Sequence, residues 1–140
     1  MSALSKCRVL LVDDNKHARM FLSQILDAAG VEIAQAASGP EALTLLAAIR
    51  VDAVIADMYM QPMDGITLTA AIRASKDPMV SGLPVIMASA QTSKAIVEGG
   101  MAAGATGFLA KPFSPMAVLT RLEAALAPPP PPARQATAYI

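Results

Sequence analysis

The sequence predicts an open α/β fold, a parallel sheet with helices on both faces. Two observations carry that expectation. Short apolar, β-branched runs alternate with helical stretches five times, the pattern of successive βα units. Acidic residues also stand where two of those runs stop: Asp13 and Asp14 after Val9 to Val12, and Asp57 after Val51 to Ala56. In a parallel sheet the strand ends gather on one edge, where open α/β folds bind ligands.

The first strand is expected near 7 to 12 and the first helix near 15 to 29, with Gly30 placed to supply a left-handed cap. The second strand falls near 31 to 36. The helix after it, near 39 to 49, is opened by Ser38 and Glu41, which have capping-box spacing. A third strand near 51 to 56 precedes a helix near 64 to 75. The fourth strand, near 84 to 88, leads to a helix near 92 to 102 that contains Gly99 and Gly100. Each glycine costs about 1 kcal/mol relative to alanine, so this helix either ends at them or is the most deformable of the five. The fifth strand lies near 106 to 110. Ser114 and Pro115 then read as N-cap and first residue of a last helix near 114 to 127.

One domain over residues 6 to 127 follows, since 140 residues suffice for a core without disulfides. Five prolines follow Ala127, so residues 128 to 140 read as a disordered tail or, alternatively, a ligand for proline-recognition modules. Eleven basic residues balance eleven acidic ones, which argues against general attraction to nucleic acid or an anionic membrane. The chain is 54% hydrophobic with a mean hydropathy of +0.48, yet it has no unbroken apolar run of about 18 residues that would suggest a membrane span. Its N-terminus has few positive charges and a short apolar run ending in two acids, unlike a signal peptide, so a cytoplasmic location is expected. Cys7 is the one cysteine and reads as a small buried apolar residue.

Carboxylates gathered at one sheet edge disfavour one another's ionisation unless a cation joins them. The pattern therefore suggests a small divalent-metal site with one nucleophilic aspartate. Ser89 ends the fourth strand and Lys111 the fifth, which brings a hydroxyl and an ammonium to the same edge. That set suits phosphoryl transfer to an aspartate.

Four segments carry a family resemblance: Val12-Asp13-Asp14, Asp57 with the run Met58-Tyr59-Met60-Gln61-Pro62-Met63-Asp64-Gly65, Ser89-Ala90, and Lys111-Pro112-Phe113. Over about residues 6 to 127 the chain resembles a stand-alone, CheY-like receiver domain of the response regulators of two-component signalling. The resemblance implies a flavodoxin-like (βα)5 sheet ordered 2-1-3-4-5. It implies Asp57 as phosphoacceptor, and Mg²⁺ bound by Asp14, Asp57 and the Tyr59 backbone carbonyl, with Asp13 ordering metal-bound water. Lys111 and Ser89 would contact phosphoryl oxygens. Ser89 and Phe108 match the family's switch pair, and Tyr59 and Gln91 flank the line of water attack. Tyr59 would shield the acyl phosphate and slow its loss. A cis peptide is implied before Pro112. His17, beside Lys16 on an exposed turn, reads as a solvated residue rather than a ligand.

The resemblance further implies a sensor histidine kinase or histidine phosphotransfer protein as donor, and an output protein met through the fourth helix, fifth strand and fifth helix. The protein would be a monomer or weak homodimer, and a phosphoacceptor with self-catalysed chemistry rather than an enzyme. No output module follows Ala127, so the output is expected through a partner. The chain departs from the family at Gln61, where proline is usual, and this bears on the path of the loop and the Tyr59 carbonyl. A phosphate sink, a phosphorelay intermediate and a phosphorylation-independent interaction module are the alternatives. A haloacid-dehalogenase-like phosphohydrolase ranks last, because Tyr59 stands where those enzymes carry a second acid.

Overall fold

The computed structural model describes residues 4–127, so the proline-rich segment 128–140 lies outside the described residues. The chain runs β1 (Arg8–Val12), α1 (Lys16–Ala28), β2 (Glu32–Ala36), α2 (Gly39–Ala48), β3 (Ala53–Asp57), α3 (Gly65–Arg73), α4 (Pro78–Ser81), β4 (Val85–Ser89), α5 (Lys94–Ala103), β5 (Gly107–Ala110) and α6 (Pro115–Leu126). All strand pairs are parallel, in the order β2-β1-β3-β4-β5.

Strand periodicity explains the layers. Successive residues point to opposite faces, so Val9 and Leu11 of β1 pack with Leu22, Ile25 and Leu26 of α1 and with Val118 and Leu122 of α6. Leu10 and Val12 face the other way, among Ala42 and Leu46 of α2 and Leu68 and Ile72 of α3. Both faces are covered, so β1, β3 and β4 read as nearly continuous apolar runs. At the edge, β2 carries the exposed Glu32 and Gln35.

Local chemistry starts and stops the helices. Ser38 Oγ accepts from Glu41 N–H at 3.2 Å, and Ser114 Oγ accepts from Ala117 N–H at 3.1 Å with Pro115 opening the helix. Gly30 has φ +84°, the left-handed conformation expected of it. One detail differs from expectation. The described residues hold six helices rather than five, because the Asp77 side chain accepts from Met79 N–H and Pro78 starts the extra turn α4. The helix containing Gly99 and Gly100 does not stop there; α5 continues to Ala103 and ends at Gly104, with φ +109°. Arg73 holds that end, donating to the Gly104 carbonyl at 3.0 Å and the Ser81 carbonyl at 2.9 Å. A bonded cap at the C-terminus of α5 lets the helix run through its glycines.

Strand register builds the edge where the chemistry gathers. Val12 is level with Ala56, Asp57 with Ala88, and Ser89 with Ala110. The residues at or just past these pairs are Asp13, Asp57, Ser89 and Lys111.

Candidate functional site

Asp57 is the last residue of β3, and its Oδ1 lies 2.7 Å from Lys111 Nζ, which extends from just beyond β5. The same Nζ is 3.5 Å from Asp13 Oδ2. Asp13 Oδ1 also accepts from Asn15 N–H at 2.9 Å, and Arg19 donates to the Asp13 carbonyl from the next turn of α1. Asn15 caps α1 by accepting from His17 and Ala18 N–H. Asp14 Oδ2 accepts from Gln61 N–H at 3.3 Å. One oxygen from each of Asp13, Asp14 and Asp57 lies within 4.8 Å of the others. The sequence-expected trio and its lysine are therefore together.

Burial divides the acids. Asp13 is 3% and Asp57 8% exposed, whereas Asp14 faces solvent. Burial raises the Asp57 pKa above the usual carboxylate range; the Lys111 hydrogen bond works against this, and Asp13 and Asp14 add to it. Burial alone would lower the Lys111 pKa, but hydrogen bonding to Asp57 and the charges of both buried aspartates outweigh it, and the pKa rises. The lysine is thereby held as an ammonium ion between two buried carboxylates. Three carboxylates and hard oxygen donors suit a divalent cation such as Mg²⁺.

Ser89 is buried, 1% exposed, and its Oγ accepts from Gln91 N–H at 3.0 Å. Its hydroxyl thus caps the turn after β4, while the register sets it beside Asp57. The Gln91 side chain is exposed. Tyr59 is 54% exposed and lines a cleft of about 490 Å³ with Asp14, Gln61, Asp64 and Thr67. Phe108 is half-buried, packed on a cluster of Met58, Met87 and Ala105 with Ile66 and Ile96. His17 is exposed at the start of α1. Cis peptide bonds precede both Pro112, as expected, and Pro62.

Some contributors escape sequence reasoning. A Cβ on Gly65 would stand 2.5 Å from the Asp57 carbonyl oxygen, so α3 can approach the acid-bearing strand only with glycine there. A Cβ on Gly100 would meet Phe108 Cζ at 2.2 Å. Neither closeness has a periodicity or capping signal: each partner is a few residues away along the chain, and only the packing of helix against strand brings the pair into contact.

The model of the response regulator receiver domain matches residues 9–123, a span that includes every residue named above for the site. This chain belongs to that family. The receiver is 33% identical over 119 residues to the DNA-binding response regulator MtrA of Mycobacterium tuberculosis, a match covering 85% of this chain and 50% of that protein. The chain spans about half the length of the curated relatives it matches. Among solved structures, chemotaxis response regulator CheY4 of Vibrio cholerae shares 36% identity and a TM-score of 0.81, covering 87% of this receiver and all of that chain. The receiver domain of sensor histidine kinase PA1611 from Pseudomonas aeruginosa, solved with magnesium coordinated in its active-site cleft, shares 26% identity and a TM-score of 0.79 over 87% of this chain and 98% of that one. No helix among the receiver's described residues is long and apolar enough to cross a membrane.

Proposed function

We propose that this receiver accepts a phosphoryl group on Asp57 from a histidine kinase or histidine phosphotransfer protein, and signals by changing which protein it binds. The observation that carries the reading is Asp57 Oδ1 at 2.7 Å from Lys111 Nζ, within one cluster with Asp13 and Asp14. An Asp57 oxygen attacks the phosphorus, a P–O bond forms, the donor's P–N bond breaks, and the departing imidazole keeps the electron pair and takes a proton from solvent. Lys111 loses its ion pair with Asp57 and shifts its ammonium to a phosphoryl oxygen. The Ser89 hydroxyl, whose oxygen accepts from Gln91 N–H, donates its hydrogen to another phosphoryl oxygen.

Asp13, Asp14, Asp57 and the Tyr59 carbonyl are the groups that would hold Mg²⁺, which supplies charge to offset carboxylate repulsion and the charge on the transferring oxygens. The magnesium-bearing PA1611 receiver supports that choice. Turnover is limited to the protein's own acyl phosphate, so it is a self-modifying phosphoacceptor rather than an enzyme. The output surface is α5, β5 and α6, around Phe108, and the location is cytoplasmic.

Intact mass after incubation with Mg²⁺ and acetyl phosphate tests the proposal. Wild type gains one phosphoryl group, Asp57→Asn gains none, and EDTA abolishes the gain. If wild type neither gains mass nor binds beryllofluoride, the phosphoacceptor reading fails and the constitutive interaction module replaces it.

A further inference from the structure

Two of the three clustered carboxylates share one ammonium, and the third does not. Lys111 bonds Asp57 and reaches Asp13, which Asn15 N–H also holds. Asp14 is the exposed member. Among the described residues its side chain has one hydrogen-bond donor, the backbone N–H of Gln61 at 3.3 Å.

That N–H belongs to a loop anchored in three places. Met60 is buried in the core beside α2 and α3. Met63 lies over Gly39 so closely that a Cβ there would stand 2.6 Å from its Sδ. Gly65 N–H bonds to the Met58 carbonyl at 2.8 Å and closes the loop. The donor facing Asp14 is therefore set by core packing.

A carboxylate has more lone pairs than one donor occupies, so this bond leaves oxygen free for a cation. Hydrogen bonds to ligating carboxylates orient them, and losing such a partner typically lowers metal affinity about 10–100-fold. We propose that the Gln61 backbone N–H is the positioning donor for Asp14, fixing the direction from which this carboxylate meets a divalent cation. The Gln61 side chain is not the operative group. Any residue with an N–H serves, and proline, which has none, does not. The inference rests on the metal-site reading of the cluster. Because the bond is solvent-exposed, its loss should weaken Mg²⁺ binding at the low end of that range, about tenfold.

The test is titration calorimetry with Mg²⁺ on the full chain and on a semisynthetic chain carrying an α-hydroxy acid at position 61, which replaces only the N–H by an ester oxygen. The ester should bind about tenfold more weakly, while Gln61→Ala, which keeps the N–H, should match wild type. In a separate measurement on an isotope-labelled chain, the Gln61 amide proton should shift with Asp14→Asn and with Mg²⁺. An ester chain that matches wild type while Asp14→Asn loses Mg²⁺ would overturn the role of Gln61 and leave the metal site standing. An Asp14→Asn chain that binds Mg²⁺ like wild type would overturn the metal-site reading itself. An unmoved Gln61 amide in Asp14→Asn refutes the contact even if the ester chain fails to fold.

Discussion

Gly100 and Phe108 offer a coupled test of the packing around β5. Gly100 is buried and interior to α5, so replacing it by alanine should gain about 1 kcal/mol of helix propensity. The new Cβ, however, would stand 2.2 Å from Phe108 Cζ and 2.9 Å from Cε2. Since Met87, Ala105, Ile66 and Ile96 pack around the ring, turning it away forfeits burial. Overpacking of this kind costs about 1–3 kcal/mol. Gly100→Ala should therefore fall between neutral and about 2 kcal/mol less stable. Gly99 provides the control, because a Cβ there meets only Ile66 Cδ1 at 3.9 Å, so Gly99→Ala should stabilise by about 1 kcal/mol. In a Phe108→Ala background the obstruction is gone, and Gly100→Ala should also stabilise by about 1 kcal/mol, a coupling of roughly 1–3 kcal/mol. Urea unfolding of these variants, followed by far-ultraviolet circular dichroism, measures each corner of the cycle. Equal stabilisation by Gly99→Ala and Gly100→Ala with Phe108 present would refute the contact.

Gly65→Ala would press a methyl group against the Asp57 carbonyl oxygen at 2.5 Å and Met58 Cα at 2.9 Å, backbone that cannot turn aside. A loss of about 1–3 kcal/mol in urea unfolding is expected, and a neutral result would contradict the close approach of α3. Cys7 is buried, and burial first, with Asp52 adding, raises its thiol pKa. The native thiol holds its proton at pH values where an unfolded cysteine ionises, so this contribution to stability is complete below the unfolded pKa and fades as pH rises through the folded one. At pH 8 a thiol-specific disulfide reagent should label native protein far more slowly than urea-unfolded protein; equal rates would place Cys7 at the surface. The proposed function gives Tyr59 the role of shielding the Asp57 acyl phosphate from water. Tyr59→Ala should lose phosphate about 3–10-fold faster, roughly 0.7–1.4 kcal/mol on the barrier, and faster loss from wild type would reverse that role.

The amino-acid sequence by itself determined what alternation, capping and turn chemistry encode within a few residues. The five strands, the Ser38 and Ser114 caps and the Gly30 turn were legible because each depends on neighbours in the chain. The short α4 was equally local, an N-cap aspartate followed by proline, but a single turn has too little apolar periodicity to stand out. The acidic trio and Lys111 were legible because parallel strands end on a common edge, so sequence position at a strand terminus already implies spatial proximity. Tertiary structure decided the rest. Where the Gln61 N–H lies relative to Asp14, why residue 100 is glycine and how Arg73 lets α5 pass its glycines depend on distances between segments from different βα units, and the glycine at 65 on how closely α3 folds back onto β3. Those distances arise from packing side chains across the sheet faces, and no local spacing rule contains them.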